Sequence, residues 1–366
     1  EDCIEVLQTV GSGSSGTVYR AKLLRPYKDL PAGVEVAIKL LRPELAANQR
    51  ARARLFAEGE LGQSLHHANV AEVYGVETAN LLGVETTYLI MQFIQGTTLR
   101  EMLHRSGSPV EDLTRRLGAD AARGLSALHR RDIVHRDIKP ENLILPPDSE
   151  LKIVDLGLAR PIGEQGPTSS GSSDSSSGRS SGFGLAGSVA YSAPETLRGE
   201  PAGPRSDLYA LGIVLYEVTT GQHPFHDATT PDEMIDGHLN REPPHPSHLR
   251  PRISPMLELI LLDLLKKDPE DRPRSAANLA RMLEQGERSD FWQKHEIKAP
   301  VLASSRRLLR MRRPAEAPFV GRRTESARLD AAMAAARSGK GRVLAVVAPE
   351  STGRRRLLDE AMQRWL

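Results

Sequence analysis

The chain is poor in several things that narrow what it can be. It carries a single cysteine, Cys3, in 366 residues. One thiol excludes an internal disulfide and a zinc site built on cysteines. Aromatic residues make up only 4%. None is interleaved with the basic run near residue 310, so no stacking platform for nucleic acid is expected. Apolar runs are short, Leu211–Val218 and Val343–Ala348 being examples. A membrane-spanning helix needs about 18 or more consecutive apolar residues, so no membrane span is expected. No repeat period is found, which argues against solenoids and propellers. No signal-peptide pattern follows Glu1, so the expected compartment is the cytoplasm and the N-terminus is expected to be a cut edge.

What is present is ordinary globular material, 39% apolar and 26% charged. At roughly 150 residues per domain the length suggests two or three domains. Net charge is only +2 but unevenly spread: residues 301–366 carry 15 basic against 6 acidic side chains, leaving −7 on the first 300. A step of this size points to two units of different character.

Hydrophobic patterning divides the first part in two. Ile4–Val10, Thr17–Leu23, Val34–Leu40 and Tyr88–Ile94 read as strands bounded by Gly and Pro. Glu44–Leu65 reads as a helix, with Leu55, Glu58 and Leu61 at helical spacing. Beyond Thr98 the pattern is mostly helical, with Thr114–His129 and Asp207–Thr220 the longest runs. A strand-rich lobe followed by a larger helical lobe is an α+β arrangement. Thr168–Gly182 holds nine Ser, three Gly and one Thr in 15 residues; it buries too little apolar surface to order itself and is expected to be a mobile loop. Residues 286–317 lack periodicity and carry Arg306, Arg307, Arg310, Arg312 and Arg313, which suggests a basic linker. Thr324–Ser338 then reads as a helix and Arg342–Ala348 as a strand.

Five motifs carry chemistry. Gly11-Ser12-Gly13-Ser14-Ser15-Gly16 lets backbone N–H groups approach phosphate oxygens. The spacing alone is weak, because dinucleotide folds and plain turns share it. A strand follows it at Thr17–Leu23, where a dinucleotide fold wants a helix, and this favours a β-hairpin over the phosphates. Lys39 ends the apolar strand segment Val36-Ala37-Ile38-Lys39. Its ammonium either snorkels to solvent or binds phosphate and pairs with a helix carboxylate, Glu58 before Glu60. His135-Arg136-Asp137-Ile138-Lys139-Pro140-Glu141-Asn142 is the strongest signal. Asp137 can orient an attacking hydroxyl, Lys139 can neutralise a transferring phosphate, and Asn142 can ligate magnesium. A polar turn would explain one or two of these residues, not all of them in order. Asp155-Leu156-Gly157 offers a second metal-binding carboxylate, although an isolated Asp-x-Gly is often only a turn. Ala193-Pro194-Glu195, with Asp207 and Arg272 downstream, completes the set.

In this order the motifs resemble the catalytic domain of protein kinases, closest to the eukaryotic-like Ser/Thr kinases of bacteria. The resemblance covers about residues 4–285 and implies a bilobal fold, with the N-lobe about 1–94 and the C-lobe about 95–285. It implies ATP and Mg2+ or Mn2+ as cofactors and proteins bearing Ser or Thr as substrates. The carried-over nucleotide positions are Val10, Gly11, Gly13, Gly16, Val18, Ala37, Lys39 and Glu58, the gatekeeper Met91, the hinge Gln92, Phe93 and Ile94, then Leu143 and Asp155. Asp137, Lys139 and Asn142 are the expected catalytic set, with Asn142 and Asp155 holding metal. Glu195 is expected to pair with Arg272, and Asp207 to brace the catalytic loop. Arg136 is the expected partner of a phosphate on Thr168, Ser180 or Ser181. Ser188 stands where Thr is usual, and Leu156 where Phe is usual. A nucleotide-binding scaffold without transfer, or a small-molecule phosphotransferase, are the alternatives. The first usually lacks one of Lys39, Asp137, Asn142 or Asp155; Lys139 and the loop Gly187–Tyr191 count against the second.

The tail resembles something else. Pro318-Phe319-Val320-Gly321-Arg322, a helix and a strand look like the opening of a P-loop ATPase of the AAA-like or STAND type. At Ala348-Pro349-Glu350-Ser351-Thr352-Gly353-Arg354-Arg355, arginines replace the phosphate-binding Lys and the metal-binding hydroxyl. Residues 318–366 are therefore expected to be a degenerate, truncated α/β segment, too short to fold independently.

Overall fold

The computed structural model describes residues 3–12, 16–42, 45, 48–81, 84–147, 149–157, 159–162, 189–295, 323–337 and 357. Two units are described separately, one within 1–300 and one within 301–366.

The first unit opens with a five-stranded antiparallel sheet. Its strands are β1 (Ile4–Ser12), β2 (Gly16–Leu23), β3 (Glu35–Leu41), β4 (Val73–Leu81) and β5 (Val84–Gln92), in the order β1-β2-β3-β5-β4. Strand β1 pairs antiparallel with β2, with Gly11 opposite Val18 and Ser12 opposite Thr17, so Gly11 and Gly16 stand on adjacent strands. The period of two along β3 sorts its side chains. Val36 and Ile38 join Ala21, Leu23 and Ile90 on one face, while Ala37 and Leu41 join Leu55, Leu89 and Met91 on the other. Lys39 alternates with the second set, which faces helix α1 (Gln49–Gln63).

Helix α1 starts where the Asn48 side chain accepts the N–H groups of Arg50 and Ala51, a cap that stabilises a helix by about 1 kcal/mol. Its buried stripe is Leu55, Glu58, Gly59 and Gly62. A Cβ on Gly59 would lie 1.9 Å from a methyl of Val76, so the missing side chain lets α1 lie directly on β4. The helix spans Gln49–Gln63 against the expected Glu44–Leu65, starting five residues later, and β5 ends at Gln92, leaving Phe93 and Ile94 beyond the strand.

The helical lobe follows. Short strands β6 (Thr97–Thr98), β7 (Ile133–Val134), β8 (Leu143–Leu145), β9 (Lys152–Ile153) and β10 (Arg160–Pro161) surround the motif loops. Helices α2 (Leu99–Ser106), α3 (Glu111–His129), α4 (Pro194–Leu197), α5 (Pro204–Thr220), α6 (Pro231–Asn240), α7 (Pro246–Leu249), α8 (Pro255–Leu264), α9 (Ala276–Gln285) and α10 (Asp290–His295) complete it. Helices α3, α5, α8 and α9 share one core of fully buried residues, including Leu125, Leu128, Leu211, Ile260 and Leu279. Each buried leucine contributes about 1.5–3 kcal/mol. Helices α4 to α8 all have proline as their first residue, where the missing N–H breaks no hydrogen bond.

In the second unit, helix α11 (Arg323–Arg337) matches the expected helix to within a residue. Leu329 and Leu357 are buried. The expected strand at 342–348 and the arginines of the degenerate P-loop lie outside the described residues. Among the described residues no helix is long and apolar enough to cross a membrane.

Candidate active site

Three segments meet at one cation. Lys39 Nζ donates to both carboxylate oxygens of Glu58 at 2.9 Å and to Asp155 Oδ1 at 2.6 Å. Lys39 and Glu58 are buried, whereas the Asp155 side chain keeps 37% of its surface exposed. Burial works against the Lys39 charge, but the two carboxylates outweigh it and hold its pKa above the ordinary lysine value. Burial would raise Asp155 as well; the ammonium and the Gly157 N–H more than offset it, taking the pKa down to about 2. Glu58 goes the other way, pushed up to about 7 by burial despite Lys39. Glu60, the other candidate on the helix, is exposed.

A second cluster lies on the loop between β7 and β8. Lys139 Nζ donates to Asp137 Oδ2 at 2.6 Å. Asn142 Nδ2 donates to the Asp137 carbonyl at 2.8 Å and to Asp137 Oδ2 at 3.0 Å. With its NH2 so engaged, Asn142 keeps its amide oxygen for a cation. The loop conformation is held from below by Asp207, which is buried on α5. Asp207 Oδ1 accepts the Arg136 N–H at 2.8 Å, and Oδ2 accepts the His135 N–H at 2.9 Å and His129 Nε2 at 2.8 Å. Burial alone would raise the Asp207 pKa, but these donors keep it below the usual carboxylate value. Arg136 and Asp155 both adopt left-handed backbone, with φ of +66° and +65°. Each such residue costs of order 1–3 kcal/mol unless its surroundings fix it; Asp207 supplies that restraint at Arg136.

The expected adenine surfaces are also brought into place. Val18, Ala37, Met91 and Phe93 pack in one cluster, and Ala37 pairs with Met91 across β3 and β5. Leu143 belongs to the lower core. The Gln92 N–H donates to the Glu72 carbonyl at 2.8 Å. Val10 is exposed on β1, and a Cβ on Gly11 would meet nothing within 4 Å, so that backbone is open to a ligand. Gly16 differs: a Cβ there would lie 2.2 Å from the Leu40 carbonyl oxygen. Its glycine is needed for the close approach of β2 and β3.

Glu195 and Arg272 form a buried bidentate pair, both bonds 2.8 Å. Gly13, Thr168, Ser180, Ser181 and Ser188 lie outside the described residues. Sequence reasoning missed one network. Arg100 at the start of α2 donates to Glu141, Glu217 and Tyr191, and the Tyr191 hydroxyl donates to Glu217 at 2.7 Å. The available signal was Glu217, a carboxylate within the otherwise uncharged stretch Leu208–Thr220 of α5.

Glycines on the paired strands β1 and β2, a Lys–Glu–Asp cluster around the buried Lys39 and Glu58, and an Asp–Lys–Asn loop between a sheet lobe and a helical lobe define the bilobal phosphotransferase class. Residues 4–283 match the family described as the protein kinase domain, and the chain belongs to that family. The probable serine/threonine-protein kinase SCO3848 of Streptomyces coelicolor is 34% identical over 272 residues, 74% of this chain and 38% of its own length. Serine/threonine-protein kinase PknB of Mycolicibacterium smegmatis is 30% identical over 299 residues, 82% of this chain and 44% of its own. PknB of Mycobacterium tuberculosis is 31% identical over 278 residues, 76% and 42%. The chain thus spans about two fifths of the length of the curated relatives it matches.

Proposed function

We propose that this chain is an ATP-dependent Ser/Thr protein kinase that phosphorylates protein hydroxyls and its own chain. The observation that carries the reading is the pairing of Lys39–Glu58–Asp155 with Asp137–Lys139–Asn142 in one unit. In this reading Lys39 binds the α- and β-phosphates and Glu58 holds its ammonium in place. Asn142 and Asp155 hold Mg2+ or Mn2+; the low pKa of Asp155 keeps it ionised for this role. Bound ATP and metal supply the transferable phosphoryl group and neutralise its charge. Asp137 accepts the proton of the substrate hydroxyl and orients it for in-line attack, and Lys139 balances charge beside it. Val18, Ala37 and Leu143 enclose the adenine, with Met91 behind it and Gln92, Phe93 and Ile94 along its edge.

Three finer assignments go with it. The domain boundaries are 1–285 for the kinase, 286–317 for a basic linker, whose first ten residues nevertheless hold helix α10 and pack Phe291 and Trp292 on the kinase core, and 318–366 for a degenerate P-loop segment that does not hydrolyse ATP. A phosphate on Thr168, Ser180 or Ser181 engages Arg136 and activates the enzyme, since it adds about −1.5 to −2 charges opposite a guanidinium. Ser188 bridges Asp137 and Lys139 in place of the usual Thr. All three rest on the sequence.

The test is transfer from radiolabelled ATP with Mg2+ or Mn2+, beside an Asp137→Asn control, with phosphosites mapped by mass spectrometry. Label on the wild type and none on the control is the expected result. Nucleotide binding without any transfer would replace the reading by that of a scaffold.

A further inference from the structure

The loop between β2 and β3 has no part in phosphoryl transfer as proposed above, yet it reaches the helix that carries Glu58. It turns tightly at Tyr27 and Leu30, whose backbone groups exchange two hydrogen bonds of 2.9 Å. Lys28 takes the first central position of that turn, with φ of +50°, where glycine is the default. Such an outlier persists only where its surroundings fix it. Tyr27 and Leu30 pack with Ala21, Leu23 and Ile90 on the face of the sheet opposite α1. The Tyr27 hydroxyl donates to Glu77 Oε1 on the edge strand β4 at 2.8 Å. Lys28 reaches both β4 and the helix: its Nζ donates to the Tyr74 carbonyl at 2.6 Å and to Gln63 Oε1 on α1 at 2.7 Å. Tyr74 is the extra residue of a bulge, since Val73 faces Met91 and Gly75 already faces Ile90; such a residue stands outside the ladder. A Cβ on Gly75 would lie 2.0 Å from the Tyr27 hydroxyl and 3.1 Å from Lys28 Nζ, so glycine there makes room for both. Gln63 is also held from its other end, where Nε2 donates to the carbonyl of Gly59, the residue after Glu58, at 3.2 Å.

Helix α1 meets β4 through Gly59 and Gly62, whose added Cβ atoms would lie 1.9 Å from Val76 and 2.3 Å from Val73. Glycine contacts bring the helix close, but they insert no side chain into the sheet at those two points to stop it sliding. The Glu58 bonds to Lys39 need a fixed helix, because a hydrogen bond weakens beyond about 3.2 Å. We propose that Lys28 is a positioning residue: by tying the end of α1 to the bulge in β4, it keeps Glu58 on Lys39 and so sets the ammonium for the phosphates of ATP. The β2–β3 loop is then the chain's own clamp on α1, joined to the strand through Tyr27 and to the helix through Lys28.

This inference rests on the Ser/Thr kinase reading, and the experiment separates the two. The full chain is compared with Lys28→Gly, Lys28→Met and Lys28→Arg. Lys28→Gly removes the ammonium and relieves the backbone at a positive φ, so its melting temperature is expected to hold or rise. Amide hydrogen exchange, read by mass spectrometry, is expected to quicken over residues 55–62 in the Gly and Met variants. The expected factor is about threefold to tenfold, the net effect of one hydrogen bond, with no change over residues 208–218 of α5. kcat/KM for ATP should fall by the same factor while KM for the acceptor peptide stays the same. Lys28→Arg keeps the donors and should restore both readouts. Unchanged exchange over 55–62 overturns the inference, as does faster exchange there with wild-type turnover. Activity that falls only together with the melting temperature, with faster exchange over 208–218 as well, also overturns it. A wild type that transfers no phosphate to any peptide or to itself removes the kinase reading, while exchange over 55–62 still reads the clamp.

Discussion

Replacing Glu195 by Gln keeps the shape of the side chain and removes one charge. The partner, Arg272, has a side chain with 0% exposure, and Glu195 has 5%. A guanidinium cannot shed its proton in a protein, so the variant leaves a buried cation. It is not wholly deserted: the carbonyls of Lys266, Lys267 and Arg205 still accept from Arg272, and the Tyr209 ring lies 4.8 Å below it. The Gln NH2 now faces a guanidinium N–H, donor against donor. Breaking a buried pair on one side costs about 3–5 kcal/mol, or about 6–20 °C in melting temperature for a domain of this size. Urea unfolding followed through Trp292 measures it. The double variant with Arg272→Met should lose less than the sum of the singles, with a coupling of about 1–3 kcal/mol. Acid adds a second check. The Glu195 pKa is lowered in the fold, where burial opposes and the Arg272 bonds prevail. Its contribution is therefore full above the unfolded value of about 4.3 and is lost as pH falls through the folded value. The gap between wild type and Glu195→Gln should narrow over that range. A variant within about 1 kcal/mol of wild type, with no coupling, would refute the reasoning.

Lys39→Met should lower transfer by about 100-fold or more yet keep a cooperative unfolding transition, read by phosphate incorporation and circular dichroism. His238 is buried, shares a hydrogen bond of 2.9 Å between its Nδ1 and the Tyr209 hydroxyl, and has its pKa lowered to about 3 by burial, then by His223 and Lys267. An unfolded histidine near pH 6.5 takes up a proton first, so stability is full above about pH 6.5 and falls toward pH 3, by about 2 kcal/mol at pH 5. His238→Leu should flatten that slope in urea titrations at several pH values, whatever its absolute stability. Gly124→Ala, favourable by about 1 kcal/mol for an isolated helix, should destabilise here, because the new Cβ lies 2.7 Å from the Asn69 carbonyl; a raised melting temperature would show that α3 can shift.

The Asp137–Lys139–Asn142 cluster was legible because its members sit within six residues, although the loop that holds them depends on Asp207 of α5. Glu58 was legible as the Lys39 partner because it lies on the helix after β3, nine residues before His67, where the kinase resemblance expects it; the fold buries Glu58 and leaves Glu60 exposed. Strand β4 escaped notice: after Val76 it reads Glu77, Thr78, Ala79, Asn80, without apolar alternation, and its place at the sheet edge comes from pairing with β5. The Arg100 network was also hidden. Its members come from segments as far as 117 residues apart, and Arg100 alone reads as an ordinary charge at a helix start. Asn48 was overlooked as a cap, although Asn before a polar helix start is a recognised signal.

The prolines that open α4 to α8 bear on the denatured chain rather than on the native contacts. Pro194 and Pro246 are buried, but Pro231 is exposed on the surface and its ring gains little by packing. What it changes is the freedom of the unfolded polymer, whose φ at that point is already near the helical value. At a compatible site this is worth about 0.4–1 kcal/mol. Five such sites restrict the disordered ensemble at the points where five helices nucleate. Part of the stability of the helical lobe is thus invisible in any inventory of native bonds, because it resides in conformations that the unfolded chain cannot adopt.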